Sequence, residues 1–252
     1  MKRIIIATIA LAGIVAGCKK NEGYDDPSVQ STGAKVKFAN LTFTGFSVIF
    51  YGKDTTVKFS GAAPATGNIL TGVAYNNTFP VNDYAAIGAY TDSLKIRVPL
   101  NATTNAGLFK GITKLNIEDG KRYTVFLLDT LPNLDYVITE DHIRDLSTII
   151  DTVYDVRFVH AIVGVGNVDI FSKNENRVVF ANVPFKGAAD FTTLRRNSVV
   201  AQDSIFIRNA GTPTIITRMG FTPTARRTYT WFGRGRSGST TTAPAISFYT
   251  NQ

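Results

Sequence analysis

Two histidines, His142 and His160, are the only imidazoles in the 252-residue chain, so any Ser-His-Asp relay would have to use one of them. His142 lies in a short charged stretch, TEDHIRDLSTIID. His160 ends an alternating apolar run, and a matching earlier run carries Asn40 at that place. A position that takes either His or Asn needs a polar, hydrogen-bonding side chain near a strand end rather than a base. With one cysteine and no closely spaced histidines there is no zinc set, and Asp83 and Asp92 stand apart from any EF-hand loop. Gly233–Gly238, GRGRSG, is glycine-rich but joins strand to strand, so it reads as a hairpin loop rather than a phosphate cradle. The residues therefore point to a non-enzymatic protein with no catalytic set, no metal and no cofactor.

Cys18, the sole cysteine, is placed for a different chemistry. Lys2 and Arg3 precede an apolar run, Ile4 to Val15, which ends at the small residues Ala16-Gly17. About a dozen apolar residues are too few to span a bilayer, and the charged start with a small-residue finish reads as a signal peptide over residues 1–17. Val15-Ala16-Gly17-Cys18 resembles a bacterial lipobox, which implies that Cys18 is lipidated on sulfur and anchors the mature chain to a membrane. A plain secretory signal followed by an incidental cysteine is the alternative. One cysteine also excludes an intramolecular disulfide framework, so the domains must be stable through their cores.

Positive charge is unevenly spread. From residue 153 onward there are twelve Lys/Arg against five Asp/Glu, whereas residues 19–152 carry thirteen against fourteen. Arg195, Arg196, Arg226, Arg227, Arg234 and Arg236 fall near strand ends and loops of the later half, where they are candidates to bind an anionic glycan or an acidic envelope protein. A merely soluble basic surface would look the same. Nucleic acid is not expected for an exported protein.

The elements that must carry these residues are strands. Residues 18–33 are polar, with Gly, Pro and Ser, and read as a lipidated flexible tether. After them come short runs rich in β-branched and aromatic residues, such as VKFANLTF, SLKIRV, VYDVRFVHA, DSIFIR and YTWFG. Many alternate apolar with polar, the mark of a strand with one buried face. Trp231 sits inside such an alternation and reads as core.

The runs then repeat. VKFAN (36–40) matches VRFVH (156–160), and FSVIF (46–50) matches NVDIF (167–171). Val73-Ala74-Tyr75 answers Val183-Pro184-Phe185, Asp83-Tyr84 answers Asp190-Phe191, and the run from Asp92 to Arg97 answers that from Asp203 to Arg208. Tyr123–Phe126 matches Tyr229–Phe232, and Tyr136–Thr139 matches Ser247–Thr250. The expected fold is all-β: two tandem Ig-like antiparallel β-sandwich domains after a lipoprotein signal peptide and flexible tether. The first covers residues 34–140 and the second 153–252, with a linker at 141–152.

The VRFVHA run, the VDIF strand after it and the NVPF turn resemble the Bacteroidetes lipoproteins that carry the domain of unknown function family 4397. Leu131-Pro132-Asn133-Leu134 and the terminal Ser247–Asn251 add to the likeness, and the second copy fits better than the first, where Asn40-Leu41 replaces His-Ala. The resemblance implies an exported β-sandwich and no transferable activity. Asp25-Asp26 resembles the acidic export signal of some such lipoproteins, so an outer-membrane, lipid-anchored position is expected, with surface display preferred over the periplasmic face. Asp-Ser/Thr-apolar triplets resemble the O-glycosylation sequon of the same phylum, which would place glycans on Thr55, Ser93, Thr130, Thr152 and Ser204. The expected role is binding or adhesion to polysaccharide or another cell-surface ligand, and the alternative is a structural spacer or docking subunit of an envelope assembly.

Overall fold

A computed structural model describes residues 33–43, 46–52, 57–58, 72–87, 90–100, 102–103, 105–130, 133–148, 152–197 and 199–251. Cys18 and Thr55 lie outside these residues. The described chain is all-β, and Gly33–Gln252 forms one compact unit.

Nine strands come from the first half: β1 (Ala34–Asn40), β2 (Ile49–Gly52), β3 (Val57–Lys58), β4 (Asn77–Phe79), β5 (Ala85–Ile87), β6 (Tyr90–Arg97), β7 (Phe109–Ile117), β8 (Arg122–Leu128) and β9 (Asp135–Glu140). They build two sheets, β4-β1-β8-β9 with β5 also on β1, and β3-β2-β6-β7. The second half supplies β10 (Val153–His160), β11 (Val168–Ser172), β12 (Arg177–Val183), β13 (Thr192–Arg195), β14 (Asp203–Asn209), β15 (Ile215–Phe221), β16 (Thr228–Arg234) and β17 (Ala245–Thr250). Its sheets, β13-β10-β16-β17 and β12-β11-β14-β15, repeat the same strand order. Among the described strands pairing is antiparallel except for one parallel pair in each repeat, β1 with β8 and β10 with β16, the latter followed by a parallel bridge between Val163 and Arg236. The intervening strands form a long crossover through the opposite sheet, which is what a parallel neighbour requires.

Register refines two of the sequence matches. Ile49 lies opposite Arg97 and Asp169 opposite Arg208, so Ile49 corresponds to Asp169 and Val48 to Val168. The match of FSVIF to NVDIF is therefore one residue out. A one-residue slip would exchange the faces of the strand, and the fully buried pairs Val48/Val168 and Phe50/Ile170 fix the correct register. The closing strands shift likewise: Tyr123 faces Glu140 and Tyr229 faces Thr250. Asp141 is thus the counterpart of Asn251, and each backbone N–H donates to the matching carbonyl, Arg122 or Thr228, at 2.7 Å.

Three apolar layers separate the four sheets. Val36, Phe38, Phe50, Ile96, Leu115 and Val125 fill the first sandwich, and Val156, Phe158, Ile170, Ile207, Phe221 and Trp231 fill the second. The third layer is a seam between the repeats, built from Ala39, Leu41, Phe126, Leu128, Val159, Ala161, Phe232 and Tyr249. It covers the outer faces of β1, β8, β10 and β16, so these strands are buried on both sides. Each large apolar side chain in the seam stabilises it by roughly 1.5–3 kcal/mol.

Polar residues at the seam are paired. Asp141 accepts hydrogen bonds from the Tyr84 hydroxyl and Thr124 Oγ1, both at 2.6 Å, and from Thr139 Oγ1 at 2.9 Å. Arg157 Nη1 lies 2.6 Å from the same carboxylate. On the other side, Thr230 Oγ1 donates to Asn251 Oδ1, and Asn251 Nδ2 donates to the Tyr84 hydroxyl. Lys37, the counterpart of Arg157, sits over the Tyr84 and Tyr249 rings and donates to the Pro80 carbonyl at 3.0 Å. Arg157 in turn stacks on Phe191, the counterpart of Tyr84.

Candidate functional site

The six candidate arginines fall into separate groups. Arg195 ends β13 opposite Val153, and the backbone N–H of Arg196 donates to the Thr152 carbonyl. Arg226 and Arg227 form the turn into β16. Tyr229 holds that turn by accepting a hydrogen bond from Thr224 N at 2.9 Å, while Arg226, with φ of 64°, donates its N–H to the Val153 carbonyl. Arg234 and Arg236 lie at the far end of β16, about 20 Å away at the usual rise per residue. Arg234 is engaged by Ser247 Oγ at 2.8 Å and by the Tyr75 hydroxyl. Arg236 stacks on Phe43 beside a hollow of about 660 Å³ lined by the hydroxyls of Ser237, Ser239, Thr241 and Thr242.

A larger cleft, about 710 Å³, opens between the repeats at the start of β16. Arg227, Thr224, Thr250 and Asn251 of the second repeat face Lys35, Arg122, Asn82 and Asp83 of the first. Lys35 and Arg122 are direct partners across the parallel β1·β8 pair. Lys37 braces the Asn82-Asp83 loop from below through the carbonyls of Pro80 and Val81. Among the described residues, Lys35, Arg122 and Arg227 make no ion pair or side-chain hydrogen bond. Three cations therefore share an open cleft with one carboxylate, a local excess of positive charge whose ammonium and guanidinium groups can make charge-assisted hydrogen bonds. A smaller hollow lined by Ser147, Ala225 and Arg226 shares Thr224 and Arg227 with the cleft and extends its basic surface.

Of these residues, Arg226 and Arg227 were visible in the sequence as a basic pair, but Lys35 and Arg122 were not. Each looks like an ordinary polar position of its own strand, and 87 residues separate them. No sequence signal reports a parallel pairing across that separation.

The remaining candidates are placed as follows. His160 Nδ1 accepts a hydrogen bond from Ile162 N at 3.3 Å, and Nε2 lies 2.9 Å from the Gly166 carbonyl. Asn40 does the same with Oδ1 towards Thr42 N and Nδ2 towards Phe46 O, so the two residues tie equivalent loops. Burial pushes the His160 pKa below the ordinary imidazole value. His142 is exposed, 3.7 Å from Glu140. In the Asp-Ser/Thr triplets, Asp92 and Asp129 accept the backbone N–H of Ser93 and Thr130, and Asp203 accepts from Ser172 Oγ and Asn174 N. Thr152 is exposed, whereas Ser93, Thr130 and Ser204 are half-buried. No group of three His, Cys, Asp or Glu side chains converges among the described residues.

No protein-family model matches the chain, and no curated protein does. Among solved structures the chain is similar to a "putative cell adhesion protein" from Bacteroides fragilis NCTC 9343, at 10% identity over 86% of this chain and 98% of that one, with a TM-score of 0.19. At that level the similarity carries no functional argument, and what this chain does must be read from its own cleft.

Proposed function

We propose that this protein is a non-enzymatic, lipid-anchored lipoprotein of the outer membrane that binds an anionic ligand at the cell surface through the inter-repeat cleft. The observation that carries this reading is the set of three cations, Lys35, Arg122 and Arg227, unpaired among the described residues and gathered from both repeats around one open cleft. Cys18 supplies the membrane attachment, and the ligand is an acidic polysaccharide or an envelope protein. The resemblance to domain-of-unknown-function lipoproteins fits an export role and adds no chemistry.

The buried seam favours a second reading, in which the two repeats act as a rigid spacer or docking subunit of an envelope assembly. An apolar layer with a fully buried ion pair leaves the sandwiches little freedom to hinge.

Binding of labelled polyglutamate and polygalacturonate to the full-length protein in detergent tests the two. The first reading expects binding that weakens with salt and falls at least about tenfold in R122E/R227E, a loss of roughly 1.4 kcal/mol. No binding of either polymer at low salt, or binding indifferent to those changes, would leave the spacer reading. Protease accessibility on intact against lysed host cells separates surface display from the periplasmic face.

A further inference from the structure

The seam relates the two repeats as a pseudo-symmetric pair, so the surface beside β1 in one repeat has a counterpart beside β10 in the other. Lys35 corresponds to Asp155: each sits one residue before the matched valine, Val36 or Val156, and pairs with the matched strands on either side. Asn251, at the base of the Lys35 cleft, corresponds to Asp141, where the inter-repeat segment begins.

The two surfaces differ in what occupies them. On the Asp155 side, the inter-repeat segment runs on from Asp141 and places Arg144 against the carboxylate. Arg144 Nε lies 3.1 Å from Asp155 Oδ2, and Nη2 lies 2.8 Å from both Oδ1 and Thr193 Oγ1. Two residues later Leu146 is buried. An irregular polypeptide segment thus docks on this face of the sandwich by matching its own cation to a strand-borne carboxylate. On the Lys35 side the same position carries the opposite charge, Arg122 and Arg227 stand beside it, and the described residues leave about 710 Å³ open.

Resting on the anion-binding reading of this cleft, we infer that its ligand is an acidic polypeptide segment of a partner protein, with a carboxylate seated on Lys35 as the Arg144 guanidinium is seated on Asp155. The fold itself supplies the precedent for a peptide at this position, and the reversed charge selects Asp or Glu where the internal segment uses Arg. Arg122 and Arg227 engage neighbouring carboxylates and backbone carbonyls of the docked segment.

Anisotropy of a fluorescein-labelled hexaglutamate peptide, compared with labelled hexagalacturonate of equal charge, tests this with the full-length protein at low salt. The expected result is peptide binding about tenfold or more tighter than the sugar, reduced at least about tenfold in both K35E and R227E. R227E lies in a surface turn and guards against loss of fold in K35E, which is checked by its melting curve. Equal or tighter binding of hexagalacturonate with the same dependence on Lys35 and Arg227 would overturn the peptide inference and keep the anion-binding reading. Failure of both probes would remove that reading as well. A concentration-dependent dimer abolished by K35E would give the cleft to a second copy and overturn the partner assignment.

Discussion

Asp141 and Arg157 meet at 2.6 Å in the seam between the repeats, their side chains 0% and 2% exposed. The carboxylate closes the first sandwich and the guanidinium opens the second, so the pair joins two units whose described strands share no sheet. Both charges have further partners: Tyr84, Thr124 and Thr139 donate to Asp141, and Arg157 Nε donates to Thr230 at 3.0 Å.

Removing one member leaves the other charge buried without its counter-charge. D141N or R157M is expected to cost about 3–5 kcal/mol, and the double variant D141N/R157M less than the sum of those two single changes. A urea-denaturation double-mutant cycle measures this. Additive costs would mean that the two charges do not depend on each other.

Lys37 occupies the equivalent place in the first repeat, but among the described residues no carboxylate pairs with it. Burial pushes its pKa down to about 8 against the opposing pull of Asp83 and Asp141. Between that value and the unfolded value near 10.5 the unfolded chain binds the extra proton, so stability rises with pH across that window. Burial also raises the pKa values of Tyr84, Tyr154 and Tyr249, and the folded state then holds protons that the unfolded state loses above about pH 10. Stability is therefore expected to peak between pH 9 and 10 by about 1–3 kcal/mol over pH 7. K37M should flatten the rise, and identical wild-type and K37M profiles from pH 7 to 9.5 would contradict the account.

His160 and Asn40 hold equivalent loops, so H160N should fold with a loss below about 1 kcal/mol. H160A orphans Ile162 N and the Gly166 carbonyl and should cost about 1–3 kcal/mol. Because burial lowers the folded His160 pKa, the unfolded chain takes up the proton first as pH falls below about 6.5, and wild-type stability declines there. H160N should lack that component, which acid titration of the melting temperature would reveal.

Trp231 is fully buried between Phe180 and Phe221, and its indole N–H has no hydrogen-bond partner among the described residues. W231F removes that unsatisfied donor along with some volume and should cost less than about 2 kcal/mol, against about 3–5 kcal/mol for W231A. Equal costs for the two would show that the aromatic packing contributes nothing.

The β-strands, their duplication and the buried aromatic positions were legible in the chain because they are local. Alternation of apolar and polar residues fixes the period of a strand, and two copies of one order of strands reveal one architecture used twice. Even there, the matches at Val48/Val168 and Asp141/Asn251 needed sheet register, since a gap can be slid by one residue in an alignment but not in a hydrogen-bonded ladder.

What covers the second face of a strand is not local. Lys37, Thr124, Arg157 and Thr230 alternate with core residues and read as solvent-facing, yet all four are buried, because Phe126, Phe232 and Tyr249 bring the two repeats together around them. The same packing gathers Lys35, Arg122 and Arg227 into one cleft from three distant stretches of chain. The sequence determined which residues could form each sheet; only the tertiary structure decided which charges would be paired inside the seam and which left open at its edge, because desolvation and Coulomb energy depend on distances through space rather than along the chain.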